Sequence, residues 1–126
     1  VSFDGDTGPY LLSANARIAG ILRNCGLDPD PGADVGPLVE PEAHRLVTLV
    51  ARYPDIIREA GRLYEPSVLA NYLLELARGL HASYSVLRVK GENTGKAQAR
   101  LLLFTAVKGV LRSGLAILGI PPLERM

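Results

Sequence analysis

The stretch EPSVLANYLLELARGLHASYSVLRV, residues 65–89, decides the fold. Pro66 suits a first helical turn, where its missing N–H is not needed, and Ser67 can help cap that turn. Leu69, Leu73, Leu76, Leu80, Tyr84 and Leu87 then follow at intervals of four, three, four, four and three, which keeps them on one helical face. A strand alternates with period two, and Leu73-Leu74 followed by Glu75-Leu76-Ala77-Arg78 does not. Asn71, Glu75, Arg78 and Ser85 fall on the other side, so the segment reads as one long amphipathic helix running to Val89.

Working outward, KGENTG at 90–95 is a hinge of turn formers, and Lys96 to Leu118 forms a last helix. Its Ala97, Leu101, Phe104, Lys108, Leu111, Leu115 and Leu118 recur every three or four residues, and Ile120-Pro121-Pro122 stops it. Toward the other end, residues 1–8 read as an extended lead-in that turns at Gly5 and Gly8, and Pro9 to Cys25 as a first helix stopped by Gly26. LDPDPGADVGPLVE, residues 27–40, has no apolar period and is a loop. Pro41 opens a second helix, which Pro54 is expected to interrupt; with Asp55 it would begin a short third helix to Leu63. The expectation is therefore all-α: a five-helix bundle in which residues 1–126 form a single domain. Its two longest helices, each about 33 Å at 1.5 Å per residue, pair antiparallel in the C-terminal half.

The 126 residues suffice for one core without disulfides or metals. Fourteen basic and thirteen acidic side chains leave a net charge of +1, so any polyanion must be held by a local patch. A single cysteine, Cys25, excludes an internal disulfide and fits a reducing compartment such as the cytoplasm; it reads as a small, partly buried residue at a helix end. VSFDGDTGPY is acidic and Gly-rich, unlike a secretory leader, and the apolar run Leu101 to Ile120 is broken by Lys108 and Arg112, so no bilayer span is expected. The chain begins at Val1 rather than methionine, which suggests a piece of something longer.

No converging set of catalytic groups is legible. His44 and His81 stand alone without metal-ligand spacing, Asp28, Asp30 and Asp34 lack calcium-loop spacing, and the glycines at 5–8 and 91–95 lack a GK[ST] ending. No metal, cofactor or catalytic residue is therefore expected. The basic residues say more: Arg17, Arg23, Arg78, Arg88, Arg100, Lys108 and Arg112 could line one edge of the bundle, interleaved with Tyr10 and Tyr84. Such side chains hold phosphates, and such rings stack unpaired bases. The alternative is that they are solvated helix flanks.

Three segments, GDTGPYLLSANARIAGILR at 5–23, EPSVLANYLLELARGLHASY at 65–84 and ARLLLFTAVKGVLRSGLAILGIPPLERM at 99–126, together resemble the C-terminal DALR-type anticodon-binding domain of class I arginyl-tRNA synthetases. The resemblance implies a helical bundle that docks the anticodon stem-loop of tRNA(Arg), with Tyr10, Arg17, Tyr84, Arg88 and Met126 at the tRNA surface. It implies a cytoplasmic partner in protein synthesis, no membrane and no DNA, and a catalytic domain supplied in cis or in trans. The HIGH and KMSKS signatures of the synthetase's ATP site are not in this sequence. Departures from the family pattern fall at Leu12, Ser13, Asn15 and Arg88, and they motivate a second expectation: a free-standing synthetase-like module that binds a protein partner or another RNA. An exposed apolar patch around Leu11 and Leu12 would mark that second case.

Overall fold

Leu69, Leu73, Leu76 and Leu80 are each at most 1% exposed. Burying four leucines contributes roughly 6–12 kcal/mol, at about 1.5–3 kcal/mol apiece, which makes their helix the element the others gather on. A computed structural model describes residues 6–121 of the chain, and these fold into four helices with no strand among them. They are α1 (Thr7–Asn24), α2 (Pro41–Leu63), α3 (Pro66–Ser83) and α4 (Thr94–Ile117). The first begins earlier than expected, at Thr7, so that Gly8 lies inside it. α3 and α4 are antiparallel, as expected: Tyr84 packs on Phe104, a Cβ added to Gly114 would lie 2.7 Å from both Leu73 methyls, and Leu69 and Leu118 line one cleft. α1 and α2 each pack on this central pair and not on one another.

The fifth helix does not exist as a separate element, because α2 continues through Pro54. Proline removes one ladder hydrogen bond and clashes with the carbonyl four residues back, at a cost of about 3 kcal/mol. Contacts on both sides of the defect hold the two halves in line. Tyr53 stacks on Tyr72 at 5.8 Å and donates to Ser113 Oγ at 2.7 Å, Tyr72 donates its hydroxyl to the Leu49 carbonyl at 2.5 Å, and Leu49 and Ile56 are buried. Pro54→Ala is expected to raise stability by about 1–2 kcal/mol in a urea titration, part of the restored helical energy being offset by greater freedom of the unfolded chain.

The second departure decides the site. The long helix ends at Ser83, six residues before Val89. The buried Ser83 hydroxyl turns back on the Leu80 carbonyl at 2.7 Å, and the Ser83 carbonyl accepts from the N–H groups of both Val86 and Leu87. From there the chain is no longer helical, and burial alternates: Leu87 and Val89 go into the core while Arg88 and Lys90 stay exposed. Gly91, at φ 87°, turns the segment, and the Asn93 side chain accepts from the Lys96 N–H at 2.9 Å to start α4. The loop before α2 is fixed by Gln98, whose side chain accepts from the Asp30 N–H and donates to the Asp28 carbonyl, both at 3.0 Å.

Candidate nucleic-acid interface

On α1, Tyr10, Ala14, Arg17 and Ile21 recur at intervals of four, three and four and share a face. On α3 and its continuation, Ala77, His81 and Tyr84 do the same. The two small residues, Ala14 and Ala77, let the helices approach, and the longer side chains frame a depression over the seam. Toward the end of α1 this opens into a concavity of about 550 Å³ lined by Arg17, Ile21, Tyr84, Arg88, Lys90 and Phe104, among others. Arg17 and Tyr84 belong to both.

Their contact is the centre of the site. The Arg17 guanidinium carbon lies 4.2 Å from the centroid of the Tyr84 ring, a cation–π stack. His81 meets Tyr84 edge-on at 6.3 Å, with its Nδ1 3.5 Å from Arg17 Nη1, and Phe104 supports the ring from the core at 6.2 Å. The Tyr84 hydroxyl is buried without a hydrogen-bond partner, and burial pushes its pKa from 10.0 to about 12, the Arg17 charge opposing the rise. Tyr84 thus packs on the core and also forms part of the open surface. Tyr10, 39% exposed, stands at the far end of the depression.

Four of the five residues expected at a tRNA surface, Tyr10, Arg17, Tyr84 and Arg88, are brought together; Met126 lies outside the described residues. The wider expectation of a seven-residue cationic edge holds only in part. Arg100 is 4% exposed, and its charge is used inside the protein: Nη2 donates to Glu40 Oε2 and Nη1 to the Arg88 carbonyl, each at 2.8 Å, with Glu92 at 3.6 Å. Arg78 is exposed on α3 but does not line the groove, and Arg23, Lys108 and Arg112 have interactions of their own. Two residues of the groove escaped the sequence reading. Lys90 opens a run of turn formers and His81 has no metal-ligand spacing, yet Lys90 continues the alternation after Leu87 and His81 lies one turn before Tyr84.

The departures from the family pattern also separate. Asn15 is fully buried, and Leu12 is half-buried against the core and lines neither concavity; Ser13 and Arg88 line the groove. With Leu11 fully buried as well, no apolar patch forms around Leu11 and Leu12 among the described residues. Among the described residues no three His, Cys, Asp or Glu side chains gather as a metal would require, and no helix is long and apolar enough to cross a membrane. Cys25 is buried, its thiol directed at the Leu22 and Leu27 carbonyls at the end of α1.

The open seam of this helical bundle thus carries a stacked arginine and tyrosine beside two further cations, Arg88 and Lys90. The chain belongs to the DALR anticodon-binding domain family, whose pattern matches residues 11–126. It is 46% identical over 98% of its length to the probable cytoplasmic arginine–tRNA ligase of Dictyostelium discoideum, and 40% identical over its whole length to the cytoplasmic arginine–tRNA ligase of Saccharomyces cerevisiae. In each case it spans 21% of the relative, so it corresponds to one domain of those enzymes. The mitochondrial arginine–tRNA ligase of the same yeast also matches, at 34%. Among solved structures, the arginyl-tRNA synthetase of Thermus thermophilus superposes with a TM-score of 0.86 at 35% identity, over 99% of this chain and 22% of that one.

Proposed function

We propose that the groove between α1 and residues 84–90 seats the anticodon stem-loop of tRNA(Arg), so that a catalytic domain outside this chain, in cis or in trans, can charge the other end of the tRNA. The observation that carries this reading is the Arg17–Tyr84 stack opening onto Arg88 and Lys90. Phosphates crossing the larger concavity would meet three cations, and an unstacked loop base would meet a planar guanidinium or ring. Tyr10 offers a second ring at the other end of the seam, and Met126 adds to the surface by the family pattern. The family's work in protein synthesis, together with the cytoplasmic names of two relatives, makes the cytoplasm the compartment we assign.

A binding titration of this chain against tRNA(Arg) transcripts with native and altered anticodons, repeated across a salt series, tests the reading. Three phosphate contacts at about 0.7–0.9 each predict a slope of log K against log salt near −2 to −3. The native anticodon should bind about 5- to 150-fold more tightly than a transcript changed at one discriminating base, since a base-edge hydrogen-bond contact is worth about 1–3 kcal/mol. A flat salt series with equal affinity for every anticodon would sink it.

A further inference from the structure

The buried guanidinium of Arg100 has no evident purpose if stability alone is considered. Replacing a buried ion pair by apolar side chains of similar volume is often neutral or stabilising, so the pair calls for another explanation. Its geometry supplies one. Arg100 projects from the second turn of α4, and its fork spans two acceptors from different parts of the chain: the Glu40 carboxylate at the start of α2 and the backbone carbonyl of Arg88, each at 2.8 Å. The Arg88 peptide is thereby held from the core side, between the buried Leu87 and Val89. The Arg88 carbonyl is bonded and its two neighbours are anchored in the core, while the Arg88 side chain lines the groove.

We propose that Arg100 is a positioning residue for nucleic-acid binding, holding the backbone of the 87–89 segment so that Arg88 is presented to an RNA phosphate. This rests on the tRNA-binding reading above. Lysine would keep the charge, but a single ammonium cannot reproduce a planar fork shared between two fixed acceptors. Glu40 acts one step further back: its own N–H and Arg100 hold its carboxyl below the ordinary range, which keeps it ionised and the fork oriented.

The test is a double-mutant cycle on tRNA(Arg) transcript binding by this chain with Arg100→Lys, Arg88→Ala and the double variant, each with a salt series and a melting curve. Arg100→Lys is expected to weaken binding about tenfold and to lower the salt slope by about one phosphate contact, roughly 0.7–0.9. In the Arg88→Ala background the same change should have at most about a twofold effect, because the side chain it positions is gone. Equal effects of Arg100→Lys in both backgrounds, or an unchanged salt slope, would overturn the proposal while leaving tRNA binding by the parent chain standing. Absence of tRNA binding by the parent chain would remove the functional reading itself, and the proposal with it. Should Arg100→Lys fail to melt cooperatively, Glu40→Gln must show the same coupling to Arg88, and additivity there counts against the proposal equally.

Discussion

Tyr84→Ala is expected to lower stability by about 3 kcal/mol and to weaken tRNA binding about 5- to 150-fold, whereas Tyr84→Phe should leave both nearly intact. The ring is sandwiched between Phe104 on the core side and Arg17 on the open side, so deleting it removes packing and a stacking platform together. The hydroxyl contributes to neither, because it is buried without a partner and bears a desolvation penalty that phenylalanine lacks. Urea titrations and binding titrations of the two variants separate ring from hydroxyl. Alkali gives an independent check. The folded Tyr84 pKa of about 12 lies above its ordinary 10.0, so the hydroxyl adds no pH dependence below pH 10, and stability falls as the pH rises from 10 toward 12 because the unfolded chain ionises more readily. Tyr84→Phe should reduce that alkaline loss; Tyr72, also raised to about 12 by burial, accounts for a further part.

Arg100→Met should cost about 3 kcal/mol, measured by thermal or urea unfolding. It strands the Arg88 carbonyl and leaves the Glu40 side chain, 20% exposed, without its counter-charge. The pH dependence carries the same signature. Glu40 is depressed chiefly by its own backbone N–H and next by Arg100, so the stabilisation it provides is complete above roughly pH 4.3, the ordinary glutamate value, and disappears as the pH falls through the lower folded value. Arg100→Met should flatten that acid limb, and a variant with an unaltered limb would show that the guanidinium is not the partner that matters.

Helical period made the class of fold legible, because the stripes on α1, α3 and α4 are long and the loop at 27–40 has none. Two local rules misled at particular residues. Pro54 breaks an isolated helix, but here Tyr53, Tyr72 and Leu49 hold the chain straight through it, and those contacts come from residues 19 and more positions away. The stripe on α3 can be continued through Tyr84 and Leu87 as if helical, yet Leu87-Arg88-Val89-Lys90 alternates equally well with period two, and the structure follows that second period. Tyr10, Arg17, Tyr84 and Arg88 could be chosen from ring and charge type together with the family pattern. Arg100 could not be told from them by residue type, because its difference lies in Glu40 and the Arg88 carbonyl, 60 and 12 residues distant.

The two outer helices never meet, and the groove lies on the α1 flank of the central pair. Substitutions on the exposed side of α2, at Val47 or Arg58 for instance, therefore fall on a flank with no direct route to the groove. That flank is free to drift, or to acquire a neighbour of its own, without disturbing the groove proposed to seat the tRNA.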